Sequence, residues 1–145
     1  MTERVDFYVL KSSTPRERWM FACRLTEKAY LLDLKVVLLT DTADDAAVLD
    51  ELLWTFNERS FVPHSIVAVD TLAPVQLTAD LGDIPAADLL VNLSGRLPAR
   101  LERFRRIAEI IDADDDQRRL GRERFKAYRD HKITLETHPL DAAGG

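Results

Sequence analysis

The chain has 145 residues, 46% hydrophobic and 31% charged, with a net charge of -5 and a pI of about 5.2. That length and balance fit one globular domain with a sizeable core, and the acidic balance argues against sequence-independent DNA binding, which needs a broad basic surface. The single cysteine, Cys23, excludes an internal disulfide; no stretch is long and apolar enough to cross a membrane, and charges stand where a signal peptide would be apolar, so the expected setting is the reducing cytoplasm.

The first element is "RVDFYVL" (Arg4 to Leu10), short and rich in β-branched and aromatic residues, which reads as a strand. "TPRE" (Thr14 to Glu17) follows, with Thr at an N-cap, Pro at the first helical position and Glu three residues past the cap. A helix is predicted from there to about Leu32. "KVVLLT" (Lys35 to Thr40) is a nearly continuous apolar run, as in a strand buried on both faces. Asp41 or Thr42 can cap a second helix through "ADDAAVLDELLWTF", and "ERSFVPHSI" reads as a loop carrying Pro63. "PVQLT" fits a short strand, "DLLVNLSG" (Asp88 to Gly95) fits another buried strand, and "RFRRIAEII" fits either strand or helix. Arg118 to Lys132 reads as the body of a last, amphipathic helix, with Leu120 and Ala127 turned toward a core. Helices alternating with apolar strands give an α/β sheet with helices on both faces. One domain over residues 1–138 is expected, and residues 139–145, "PLDAAGG", read as a disordered tail.

An α/β sheet raises the question of a nucleotide. The loop after the first strand, "KSSTP", holds no glycine, so it is neither a dinucleotide fingerprint nor a P-loop. Asp41 ends the second strand, where a ribose would sit, yet without that loop its reading as a helix cap outweighs the ligand reading. No nucleophile elbow is present. Cys23 lies inside a helix with no His near it and reads as a small core residue. His64, His131 and His138 have no metal-ligand spacing. The run Asp112 to Asp116 just precedes the last helix, which favours capping and dipole compensation over a cation site. No metal, no cofactor and no catalytic constellation is visible.

What remains are aromatics in unexpected places. Ala46, Leu49, Leu52, Leu53 and Phe56 define the apolar arc of the second helix, and Trp54 lies about 100° from Leu53, off that arc. Phe61 follows in the loop. The two rings either pack against neighbouring loops or form an exposed patch for a protein partner. In the last helix Arg118, Arg122, Phe125 and Arg129 share one stripe, with Lys126 on its flank. A ring among guanidinium groups suits a ligand with an apolar end and a carboxylate, such as an acidic peptide C-terminus.

"DELLW", then "SFVPH", then "RERFKAYR", with "DFYVL" at the start, resemble the chi subunit of bacterial DNA polymerase III holoenzyme over nearly the whole chain. The resemblance implies a three-layer Rossmann-like sandwich with a mostly parallel central sheet and no functional nucleotide-binding loop. It implies a non-catalytic accessory subunit of the clamp-loader complex that bridges the psi subunit to the C-terminal tail of single-stranded DNA-binding protein. Carried over by motif, Trp54 and Phe61 are the expected psi contacts. Arg118, Arg122, Phe125 and Lys126 are the expected tail pocket, with Ile111 as its apolar wall. Phe125 stands where a Tyr is familiar, keeping the ring without the hydroxyl, and Arg118 stands where Lys is familiar, keeping the charge. Two rivals stay open: a nucleotide-dependent α/β enzyme with a degenerate phosphate loop, and a structural scaffold in which Phe125 is core.

Overall fold

A computed structural model describes residues 2–57, 59, 61–66, 73–82, 84 and 86–140. In chain order the elements are β1 (Arg4–Val9), α1 (Pro15–Leu31), β2 (Val36–Leu39), α2 (Ala43–Thr55), β3 (His64–Ile66), β4 (Val75–Thr78), β5 (Ala87–Asn92), β6 (Phe104–Ile111), α3 (Asp115–Asp130) and β7 (Thr134–Pro139). A single 3-10 turn, Leu101–Arg103, leads into β6.

Pro15 stands at the start of α1, where its missing N–H costs nothing. The helix ends as Asp33 takes a left-handed backbone (φ 62°) and donates its N–H to the Tyr30 carbonyl at 2.9 Å. In α2 it is Thr42 that caps, accepting from the Asp45 N–H at 3.0 Å. Asp41 does not cap: its carboxylate accepts the Gly95 N–H at 2.8 Å, tying the end of β2 to the loop after β5.

The strands form one sheet in the order β3-β4-β2-β5-β6-β1-β7, and every pairing among the described residues is parallel. Side chains alternate between the faces. Leu10, Val36, Leu38, Val91 and Ile110 join α1 and α2 in one core layer. Val5, Phe7, Val37, Leu90 and Ile107 form the other, under Tyr128 of α3 and the segment carrying Leu81 and Ile84. Helices therefore cover both faces of a Rossmann-like α/β sandwich, and no helix among the described residues is long and apolar enough to cross a membrane.

Two segments differ from their sequence reading, and a third, left open between strand and helix, is resolved. "RFRRIAEII" is a strand, β6, between β5 and β1, where its apolar residues are buried on both faces. The stretch read as a loop around Pro63 ends in β3: Pro63 stands just before the strand, and His64 onward pairs with β4. Residues 134–139 form β7, so Pro139, expected in the tail, is the last strand residue, and the Leu140 N–H donates to the Val9 carbonyl at 2.9 Å. The rest of the expected tail, residues 141–145, lies outside the described residues.

Candidate functional site

Helix α3 begins where the acidic run ends. Asp114 is its N-cap and accepts the Gln117 N–H at 3.0 Å, and Asp115 and Asp116 in the first turn complement the helix dipole. The helix is buried along Gly121, Arg124 and Tyr128. Leu120 and Ala127, read as core-facing, are only half-buried flanks of that line.

Beneath it lies a charged residue that the fold encloses completely. Glu109 of β6 accepts from Arg124 Nε at 3.1 Å, Tyr128 OH at 2.6 Å and Asn92 Nδ2 at 2.8 Å. Burial pushes the Glu109 carboxyl above the ordinary range, while the Arg124 charge and these hydrogen bonds pull against it. Burial, with the Glu109 charge and hydrogen bond, likewise raises the Tyr128 phenol. Nη1 and Nη2 of Arg124 are buried without a partner among the described residues. The network pins α3 to the sheet at one rotation, and that rotation sets the neighbouring flank, Arg118, Arg122 and Phe125, over β1, β6 and β7.

Under that flank is a cleft of about 210 Å³. Phe7 and Val9 of β1, Ile111 of β6 and Thr137 of β7 supply its sheet side, and Arg118, Gly121, Arg122 and Phe125 supply its helix side. The Phe125 ring is half-buried and packs on Phe7 at 5.2 Å between centroids. It is thus neither core nor solvated: one face rests on the sheet and another lines the cleft. Arg118 and Arg122 are exposed at the rim. Four of the five residues expected together, Ile111, Arg118, Arg122 and Phe125, meet here. Lys126 is exposed on the same helix but does not line the cleft. Phe7, Val9, Gly121 and Thr137 were not foreseen. Gly121 has a physical reason to be glycine, because a Cβ there would stand 2.3 Å from Ile111 Cδ1.

The second feature is an aromatic pair at the end of α2. Trp54 is 46% exposed and Phe61 68%, and their rings are 5.5 Å apart, so they form one surface patch. The Trp54 ring also lies 4.4 Å from His64. His64 is fixed from below: Nδ1 is 2.6 Å from the Val62 carbonyl, and Nε2 is 3.0 Å from the Asp50 carbonyl and 3.3 Å from its carboxylate.

Among the described residues, Asp6, Glu136 and His138 bring donor atoms within 4.8 Å of one another. Arg4, Arg106 and His138 already bond the two Asp6 oxygens at 2.8–3.2 Å. A cation would have to displace them against two guanidinium charges, so the group reads as an ion-pair cluster. Cys23 is fully buried in α1, and burial pushes its thiol up to about 12, as suits a core residue and not a nucleophile.

Residues 1–136 match the family model described as DNA polymerase III chi subunit, HolC. The chain is similar to the DNA polymerase III subunit chi of Pseudomonas aeruginosa, 40% identical over 141 residues that cover 94% of this chain and 96% of the relative. It is also similar to the subunits of that name from Haemophilus influenzae (28% identical; 94% and 97% covered) and Escherichia coli (25%; 93% and 97%). Among solved structures, S. cerevisiae Dbp5 bound to Nup159, Gle1, IP6 and ADP superposes with a TM-score of 0.65 at 17% identity. That match covers 95% of this chain and 42% of the other, a likeness of fold alone.

Proposed function

The chain belongs to the DNA polymerase III chi subunit family, and from that premise we propose that it is a non-catalytic accessory subunit of the replicative clamp-loader complex, with two docking surfaces. The cleft beneath α3 receives the C-terminal tail of single-stranded DNA-binding protein. The Trp54–Phe61 patch receives the psi subunit. The observation that carries the first assignment is the cleft itself, an apolar floor of Phe7, Val9, Ile111 and Phe125 under a rim of Arg118 and Arg122. Such a cavity takes a buried aromatic terminus and leaves its carboxylate at two guanidinium groups, which bind it by charge-assisted hydrogen bonds. Lys126, outside the cleft, faces the acidic residues that precede that terminus.

Affinity should be about micromolar, because a disordered tail loses conformational entropy on binding. Salt should weaken binding without abolishing it, since screening acts on the charges and not on apolar burial. The test is a titration of a tail peptide at low and moderate salt, against the same peptide lacking its terminal Phe. Arg122→Ala should cost more affinity than the distant Arg16→Ala, Phe125→Ala at least as much as Arg122→Ala, and Phe125→Tyr little. Equal binding of the two peptides, or indifference to Arg122→Ala, ends the assignment. For psi, Trp54→Ala and Phe61→Ala should each cost about 2 kcal/mol or more, as central aromatic anchors do. Unchanged psi binding in both, with the fold intact, removes that surface. Calorimetry with ATP, GTP and NAD should give no heat of binding, and micromolar affinity for any of them would favour a nucleotide-dependent enzyme.

A further inference from the structure

The cleft opens beside β7, and β7 has β1 as its only neighbour among the described strands. Its other edge carries backbone groups that no described strand pairs. Their direction follows from one bond. The Leu140 N–H points inward to the Val9 carbonyl, and consecutive residues of a strand point their backbone groups to opposite sides. Glu136 and His138 therefore face β1, in keeping with the parallel register Phe7↔Thr137 and Val9↔Pro139. The N–H and C=O of Leu135 and Thr137 face outward. Pro139 also falls on the outward side, where its missing N–H breaks no ladder. An open edge of this kind is a template for an added strand.

Helix α3 runs antiparallel to that edge. Gly121 lies against Ile111 at the end of β6, while Arg124 and Tyr128 further along the helix reach Glu109, earlier in the strand. From the cleft toward the start of β7, the helix presents Arg122, Lys126 and Arg129, all exposed. Arg122 to Arg129 spans about 10 Å along the helix axis, which matches about three residues of extended chain. An apolar socket at one end, three cations in line and a free strand edge beneath them thus form one track.

We propose that the acidic tail binds by adding to the outer edge of β7 as an eighth strand, parallel to β7, with its terminal side chain in the cleft and its preceding carboxylates beside Arg122, Lys126 and Arg129. This rests on the reading of the cleft as a tail pocket. It adds a binding mode in which main-chain hydrogen bonds to Leu135 and Thr137 fix direction and register, and side-chain chemistry fixes identity. The parallel sense follows from the socket lying at the Thr137 end, where the peptide's C-terminus sits.

The probe is Asp-Asp-Asp-Asp-Leu-Phe with a free carboxylate, titrated against the full chain, together with single N-methylated versions at each aspartate. Methyl groups at alternate aspartates should lower affinity at least tenfold, and those between should change it by less than threefold. On the protein, Thr137→Pro should lower affinity at least tenfold with unchanged circular dichroism, because the lost N–H faces away from β1. Thr137→Val, which keeps that N–H, should bind within about threefold of wild type. Equal binding of all methylated peptides overturns strand addition, whether or not Thr137→Pro folds. Cleft binding would survive that outcome if the peptide lacking Phe still binds more weakly. A parent peptide that does not bind, or that binds no better than the version lacking Phe, overturns both.

Discussion

Gly121→Ala tests the packing that shapes the cleft. On an open helix this change gains about 1 kcal/mol from helix propensity alone. Here the new Cβ would stand 2.3 Å from Ile111 Cδ1 and 3.3 Å from Cγ1, whereas carbon atoms attract best at about 3.5–4.0 Å. The overlap exceeds 1 Å, and the atom in the way is the end of a side chain, so Ile111 turns before the helix shifts. Off-rotamer strain and overpacking of this kind cost about 1–3 kcal/mol, so the net effect expected is a loss of about 1 kcal/mol. Ile111→Val deletes Cδ1 and alone costs about 1 kcal/mol. In the double variant the clashing atom is absent and the helix gain returns, which leaves stability close to wild type. The cycle therefore carries a coupling of about 2 kcal/mol, read by urea unfolding of the four proteins at equal m-value. Additivity within about 0.5 kcal/mol, the behaviour of independent sites, would refute the contact as the reason for glycine.

Glu109→Ala removes the side chain that, among the described residues, accepts a hydrogen bond from Arg124 and leaves that cation buried, so it should cost about 3–5 kcal/mol; a loss below about 1 kcal/mol in urea unfolding would show the network to be dispensable. Burial pushes the Asp6 carboxyl up, but hydrogen bonds from His138, Arg4 and Arg106, with the Arg4 charge, outweigh it and hold it below its ordinary 3.8. Since its folded pKa is the lower one, the stability Asp6 adds is present above 3.8 and is lost as pH falls through the folded value; the stability gap between wild type and Asp6→Asn should therefore narrow on acidification, and a gap constant down to acid unfolding contradicts it. Cys23, fully buried with its thiol pushed up to about 12, should react with a disulfide reagent at pH 8 only as fast as the protein opens; labelling at the rate of a free thiol would place it at the surface.

Much of the cleft under α3 was legible because it is local. Arg118, Arg122 and Phe125 share a face by helical spacing alone, and Thr42, Pro15 and the acidic run announce helix starts by capping chemistry. The remainder comes from residues far apart in the chain. Phe7, Val9 and Thr137 enter the cleft through the sheet order, in which β1 sits between β6 and β7. β7 itself, "TLETHP", escaped notice because an edge strand is largely exposed and carries no apolar run. Arg124 looked like one more cation in "RERFKAYR". The available signal was on its partner: Glu109 interrupts "RIAEII", a strand otherwise buried, and a buried carboxylate calls for donors. The exposure of Trp54, by contrast, followed from its angle off the apolar arc of α2.

The arrangement of polar groups bears on where the two proposed surfaces lie. In open parallel sheets the carboxyl ends of the strands commonly form the ligand crevice. Here the chain's own side chains bond the backbone at the ends of β2, β4, β5 and β6. Arg18 of α1, buried, donates from Nε to the Ile110 carbonyl at 2.7 Å and from Nη2 to the Leu93 carbonyl at 3.0 Å. Arg96 donates to the carbonyls of Thr40 and Ala79 at 3.2 and 3.0 Å, and Asp41 holds the Gly95 N–H. Asn92 accepts the Ser94 N–H and hydroxyl through Oδ1 while its amide nitrogen bonds Glu109 and the Arg96 carbonyl. A ligand entering there would have to break bonds already made, each worth about 1 kcal/mol net and more where a guanidinium donates. At the end of α2 and beside β7 the balance is reversed. Trp54 and Phe61 are exposed, no described strand pairs with the outer backbone of β7, and a partner at either surface would gain contacts without first displacing any among the described residues.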